Sequence, residues 1–154
     1  MIDLPALYDF AAQHSVGVYW FSLDATESLS YMDADGTCYI AMDPWWLRTL
    51  AEEKTKLAHE LGHCETGSFY NRYAKLDLRQ KHENRADKWA IQHLIPVEEL
   101  DEAVADGYTD LPSLAEHFCV TVPFMRKAVC WYTYGNLAWE ICLKLAENGL
   151  LAKP

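Results

Sequence analysis

The sequence predicts an α+β fold, with a small antiparallel sheet near the N-terminus followed by a run of helices. Two observations lead there. Three segments rich in aromatic and β-branched residues, Val16 to Leu23, Leu29 to Met32 and Cys38 to Met42, crowd into the first third of the chain. From Trp45 to about Cys64 no Pro or early Gly intervenes, and Leu47, Leu50, Leu57 and Leu61 recur at helical spacing. With 154 residues, 51% of them hydrophobic and 23% charged, the expectation is one domain spanning 1–154 around one core.

Each element has its own signal. Asp3 to His14 carries Pro near its start and apolar Leu4, Leu7, Phe10 and Ala11 at helical spacing, the pattern of a short helix. Asp33-Ala34-Asp35-Gly36 supplies a turn between the second and third strands, which reads as a hairpin. Thr66-Gly67-Ser68 ends the long helix. A second long helix covers Leu76 to Leu94 and is stopped by Pro96. Val97 to Asp106 is a third piece closed by Gly107, and Asp110, Thr121 and Asn136 are N-caps for three more helices, the last ending at Asn148-Gly149. We therefore expect a core over 1–96 and a helical C-terminal part over 97–154.

Composition excludes several functions. Thirteen Lys plus Arg against 23 Asp plus Glu give a net charge of -10, which repels nucleic acid and anionic membranes over most of the surface. Neither is an expected partner. The basic cluster Arg72, Lys75, Arg79, Lys81, Arg85 and Lys88 is interleaved with Asp77, Glu83 and Asp87 and reads as a solvated helix face. The apolar stretch Ala128 to Ala146 holds Asn136, Glu140 and Lys144, so it is core rather than a membrane span. Met1-Ile2-Asp3-Leu4-Pro5 has no basic flank before an apolar run and is not a secretory signal. Five Cys without a C-x-x-C pair argue for reduced thiols rather than a disulfide framework, and hence for the cytoplasm.

The chemistry lies in His59-Glu60-Leu61-Gly62-His63, an H-E-x-x-H sequence within the long helix. At about 100° per residue, His59 and His63 stand one turn apart and only about 40° out of line, so both imidazoles can reach one metal ion. Glu60 is rotated about 100° from His59, which suits a base acting on water better than a ligand. Zinc enzymes of this kind add one carboxylate and leave the fourth position to water. Glu83 is the best candidate, because Ala86 and Ala90 on its face let two helices approach closely. Asp87, one turn further on, can accept a hydrogen bond from a ligating His, with His59 as first choice. Glu followed four residues later by Asp is a spacing shared with the gluzincin pattern, so a gluzincin-like two-helix zinc site is expected. Asp87 itself, His82 and Cys64 are alternatives for the third ligand. Metzincins need Gly and His where this chain has Thr66 and Phe69, and a di-iron site needs a second E-x-x-H pair that the six His do not supply.

His59-Glu-Leu-Gly-His63 followed by Glu83-x-x-Ala86-Asp87-x-Trp89-Ala90-x-x-Leu94-Ile95-Pro96 resembles the ImmA/IrrE metallo-endopeptidases of bacteria and their mobile elements. The match is specific from Leu57 to Pro96. The resemblance implies zinc on His59, His63 and Glu83, Glu60 as catalytic base, and as substrate a specific protein such as a phage or mobile-element repressor of the helix-turn-helix type. Asp87 stands where that family often carries Asn.

Leu114 to Ala128 pulls toward another class. It is similar to a helix-turn-helix, with Ala115, Val120, Met125 and Ala128 at packing positions, Cys119 in place of the usual turn Gly, and only Arg126 and Lys127 basic. A regulatory binding protein and a metal-stabilised protein without catalysis are thus the rival readings. The peptidase expectation includes an extended substrate on an exposed edge strand, Cys38 to Met42, and an oxyanion donor drawn from Tyr70, Tyr73, Arg72, His82 and His93.

Overall fold

The computed structural model describes residues 1–71 and 73–135. Asp3 caps the first helix, α1 (Leu4–Gln13), by accepting from the Ala6 N–H at 2.9 Å, and Leu7 and Ala11 are its buried face. Three strands follow, β1 (Gly17–Trp20), β2 (Ser28–Met32) and β3 (Cys38–Met42). β2 and β3 form the expected hairpin, running from Ser28 opposite Met42 to Met32 opposite Cys38. Gly36 makes the turn possible with a φ of 87°.

The sheet is mixed rather than antiparallel. β1 pairs with β3 in parallel, Gly17 opposite Tyr39 and Trp20 opposite Met42, and the order is β1-β3-β2. After Trp20 the chain crosses to the far edge before returning to the centre. Buried Asp43 organises that crossing, accepting from the Leu23 N–H at 2.7 Å and the Trp45 N–H at 2.8 Å. Residue alternation specifies which face of a strand is buried but not the direction of its neighbour.

Among the described residues five helices follow: α2 (Leu50–Thr66), α3 (Leu76–Leu94), α4 (Val97–Ala105), α5 (Leu111–Phe118) and α6 (Val122–Tyr134). α2 starts five residues later than the leucine spacing suggests. Thr49 accepts from the Glu52 N–H while the Glu52 carboxylate accepts from the Thr49 N–H, a capping box that fixes the start. Leu50 is accordingly exposed and outside the core stripe, whereas Leu57 and Leu61 are fully buried. Gly67 ends α2 in the left-handed region. Asp110 and Thr121 cap α5 and α6 as expected. The expected cap Asn136 and the helix after it lie outside the described residues.

One core joins these layers. Leu7 of α1, Ile40 and Met42 of β3, Leu57 and Leu61 of α2, Ile91 and Leu94 of α3, Phe118 of α5 and Met125 of α6 are all buried within it. Lys75, Lys81, Arg85 and Lys88 lie exposed along α3, the solvated face the charge pattern implies. No helix among the described residues is long and apolar enough to cross a membrane.

The thiols need correction. Cys38 and Cys64 form a disulfide, with Cα atoms 6.0 Å apart, a separation suited to that bond. The first residue of β3 meets the last turn of α2, a proximity that neither the cysteine count nor their spacing encodes.

Candidate metal centre

The contact between α2 and α3 is set by side-chain size. A Cβ on Gly62 would stand 2.5 Å from the Ala86 carbonyl oxygen and 2.9 Å from the Ala86 Cα, so the two backbones meet where only hydrogen fits. Glu83, one turn before Ala86, is thereby carried next to His59 and His63.

One donor atom from each of His59, His63 and Glu83 lies within 4.8 Å of the other two. His59 Nε2 is 3.1 Å from His63 Nε2 and 3.2 Å from Glu83 Oε2, and His63 Nε2 is 3.5 Å from Glu83 Oε1. Ligands about 2.0–2.1 Å from one tetrahedral ion lie about 3.3 Å apart, so the spacing fits a single metal. The donor chemistry agrees. His59 Nδ1–H donates to Asp87 Oδ1 at 2.9 Å and His63 Nδ1–H donates to the Ser68 carbonyl at 2.7 Å. With each Nδ1 donating, the two Nε2 atoms are turned toward one another and toward the Glu83 carboxylate, a space suited to a proton or a metal cation.

The electrostatics point the same way. Burial disfavours the charged His59 imidazole, but hydrogen bonds to Asp87 and Glu83 outweigh it and raise its pKa to about 9. Burial pushes Glu83 upward, yet His59, His63 and Tyr70 hold it far below the ordinary carboxylate range. Asp87 is likewise held down, against its burial, by His59 and Lys127. Burial and the hydrogen bond to Glu83 lift Tyr70 to about 12.

Glu60, next along α2, is 6% exposed and accepts from Ser28 Oγ at 2.7 Å. It shares with His59, His63 and Glu83 a cleft of about 460 Å³ bordered by β2 and by Tyr70. Tyr70 donates to Glu83 Oε1 at 2.6 Å. The other expected oxyanion donors fall away from this cleft's lining: Tyr73 is 79% exposed, His93 stacks on Trp89, and His82 sits behind Tyr70. Arg72 lies outside the described residues. Of the alternative ligands, Cys64 is in the disulfide and His82 is not in the donor group, while Asp87 holds the far nitrogen of His59.

The expected substrate edge is also corrected. β3 is hydrogen-bonded on both sides and has no free edge, whereas β2 is an outer strand and borders the cleft. Several site residues carried no separate sequence signal: Ser28, Ser68, Gly62 in its packing role, and Lys127. Lys127, one of two cations in the helix-turn-helix-like segment, reaches inward from α6 and donates to Asp87 Oδ2 at 2.6 Å. Ala115, Val120, Met125 and Ala128 are buried, as that segment's packing pattern implies.

Two imidazoles and a carboxylate on paired helices, with a buried acid beside them, are the parts of a metallopeptidase-type site. A family model described as the IrrE N-terminal-like domain matches residues 17–129, and the chain belongs to this ImmA/IrrE peptidase family. No curated protein and no solved structure matches it.

Proposed function

We propose that the protein is a zinc-dependent endopeptidase in which His59, His63 and Glu83 hold the metal and Glu60 is the general base. The observation that carries this reading is the buried Glu60 carboxylate opening onto the same cleft as the three donors. Zinc bound there supplies a water acidified toward neutrality and a Lewis acid for the scissile carbonyl. Glu60 takes the proton of the attacking water and returns it to the leaving amine. Asp87 and the Ser68 carbonyl keep each imidazole in the tautomer that leaves Nε2 free. Tyr70 donates to the tetrahedral oxyanion, its hydroxyl already reaching Glu83. The substrate lies extended along the outer edge of β2.

The substrate is a specific protein, a helix-turn-helix repressor of a phage or mobile element. A cleft of about 460 Å³ grips only a few side chains, so affinity must come from a wider surface. The net charge of -10 favours a partner with a basic DNA-binding face, and association should weaken as salt rises.

The test uses purified protein with zinc, the repressor encoded by the neighbouring gene, and casein as control. Discrete repressor fragments with intact casein are expected. Glu60→Gln should keep its zinc and its melting temperature while cleavage falls by about a hundredfold or more. Unchanged cleavage would remove Glu60 from the mechanism, and loss of zinc from this variant would make it a ligand instead.

A further inference from the structure

Resting on that reading, we propose that Ser28 is a positioning residue for the general base, holding the Glu60 carboxylate in register with the strand that receives the substrate. Ser28 is the first residue of β2 and stands opposite Met42 of β3. Met42, Ile40 and Cys38 define the sheet face turned toward the helices, all buried. A hydroxyl on that face must find a partner or cost free energy. Ser28, 8% exposed, finds Glu60 at 2.7 Å, and among the described residues no other side chain hydrogen-bonds to Glu60.

The bond has a direction and a remainder. The serine donates to Oε1, which leaves Oε2 to meet water in the cleft. A carboxylate on a freely turning Glu side chain has several staggered settings, and this bond selects one. The start of β2 is itself tied to α2 at two successive residues. Glu27 Oε2 pairs with Lys56 Nζ at 2.7 Å and Ser28 bonds to Glu60, the two partners lying one helical turn apart. The Glu27–Lys56 pair is solvent-exposed and contributes little, so the buried Ser28 bond is the effective link. The remaining groups at the strand's start are held from the backbone side, where Thr26 Oγ1 donates to the Ser28 carbonyl at 3.0 Å and the Asp43 N–H donates to the Glu27 carbonyl at 3.0 Å. One strand thus offers its outer edge to the cleft and, through one inward side chain, sets the proton acceptor. The distance between scissile bond and base becomes a property of β2.

The experiment compares Ser28→Ala and Ser28→Thr in the zinc-loaded full chain, on the neighbouring-gene repressor or, if that is not cut, on internally quenched peptides of randomised sequence. Ser28→Ala should lower kcat by about tenfold to a hundredfold, with KM and zinc content unchanged, because a misplaced reacting group costs rate rather than binding. Ser28→Thr, which keeps the hydroxyl, should restore kcat to within about threefold of wild type. In a Glu60→Asp background the shortened acid is out of reach of Ser28, so Ser28→Ala should add nothing. An unchanged kcat in Ser28→Ala, an equal loss in Ser28→Thr, or a full additional loss on top of Glu60→Asp overturns the assignment. A wild-type protein that carries zinc and cuts neither probe overturns the peptidase reading together with it. An active wild type with an indifferent Ser28 overturns the positioning role alone.

Discussion

The two helix pairs, α2 with α3 and α5 with α6, are built on opposite plans. The α5–α6 pair buries Ala115, Phe118, Met125 and Ala128, apolar side chains that it adds to the common core. The α2–α3 pair buries Glu60, His63 and Asp87 beside a Gly62 contact too tight for any side chain. Buried ionisable groups cost stability unless paired, and each of the three has a partner: Glu60 accepts from Ser28, His63 donates to the Ser68 carbonyl, and Asp87 accepts from both His59 and Lys127. The first pair shows what packing alone looks like; the second shows what has been laid over it.

The contrast breaks most sharply at the metal. About one zinc per chain is expected, and His59→Ala, His63→Ala and Glu83→Ala should each nearly abolish it, while Asp87→Ala weakens metal affinity by about 10 to 100-fold. Metal analysis after dialysis decides this, and an emptied Asp87→Ala beside a loaded Glu83→Ala would reverse the two roles. Met125→Ala is the matching cut in the apolar pair. It should cost about 2–5 kcal/mol in denaturant unfolding yet leave zinc stoichiometry intact; lost metal with little lost stability would erase the distinction.

Opening the Cys38–Cys64 bridge frees a loop of sequence separation 26, for which chain entropy gives about 3.5 kcal/mol. Thermal melts of a Cys38→Ser, Cys64→Ser double variant beside the wild type measure it, and coincident melts would show that the bridge adds nothing. The smallest effect is the pH dependence of the metal-stripped protein. His59 is raised from 6.5 to about 9, so its contribution is complete below pH 6.5 and is lost as pH climbs through 9. Glu83 and Asp87 are lowered, so theirs is present above the ordinary carboxylate range and lost on acidification. Melting temperature should therefore be highest near pH 6 and fall by pH 9; a flat alkaline side would mean that His59 gains nothing from Asp87 and Glu83.

What could be read in advance divides along the same line. His59, Glu60 and His63 declare themselves because helical spacing is local, and the Glu83 and Asp87 spacing carries over to one neighbouring helix. Ser28 gives no such sign, since its partner is 32 residues away and only the fold joins them. A faint trace exists in the alternation of β2, where Ser28 and Ser30 occupy the positions opposite Met42 and Ile40. The capping box of Thr49 and Glu52 was equally readable and would have placed the start of α2 correctly. The parallel pairing of β1, the central place of β3 and the Cys38–Cys64 bridge depend on how the chain crosses over 21–27, which no local pattern records.

Two lysines bind these plans together. Lys127 of α6 meets Asp87, and Lys54 of α2, 2% exposed, donates to the Phe118 carbonyl at the end of α5 at 2.8 Å. Anyone wishing to excise the candidate metal site, or to graft α2 and α3 onto another scaffold, would meet this pair of debts first. A fragment ending at Pro96 leaves a buried carboxylate without its cation and a buried ammonium without its acceptor. A transplant has to bring α5 and α6 along, or exchange Lys54 and Asp87 for neutral residues of similar shape before it is attempted.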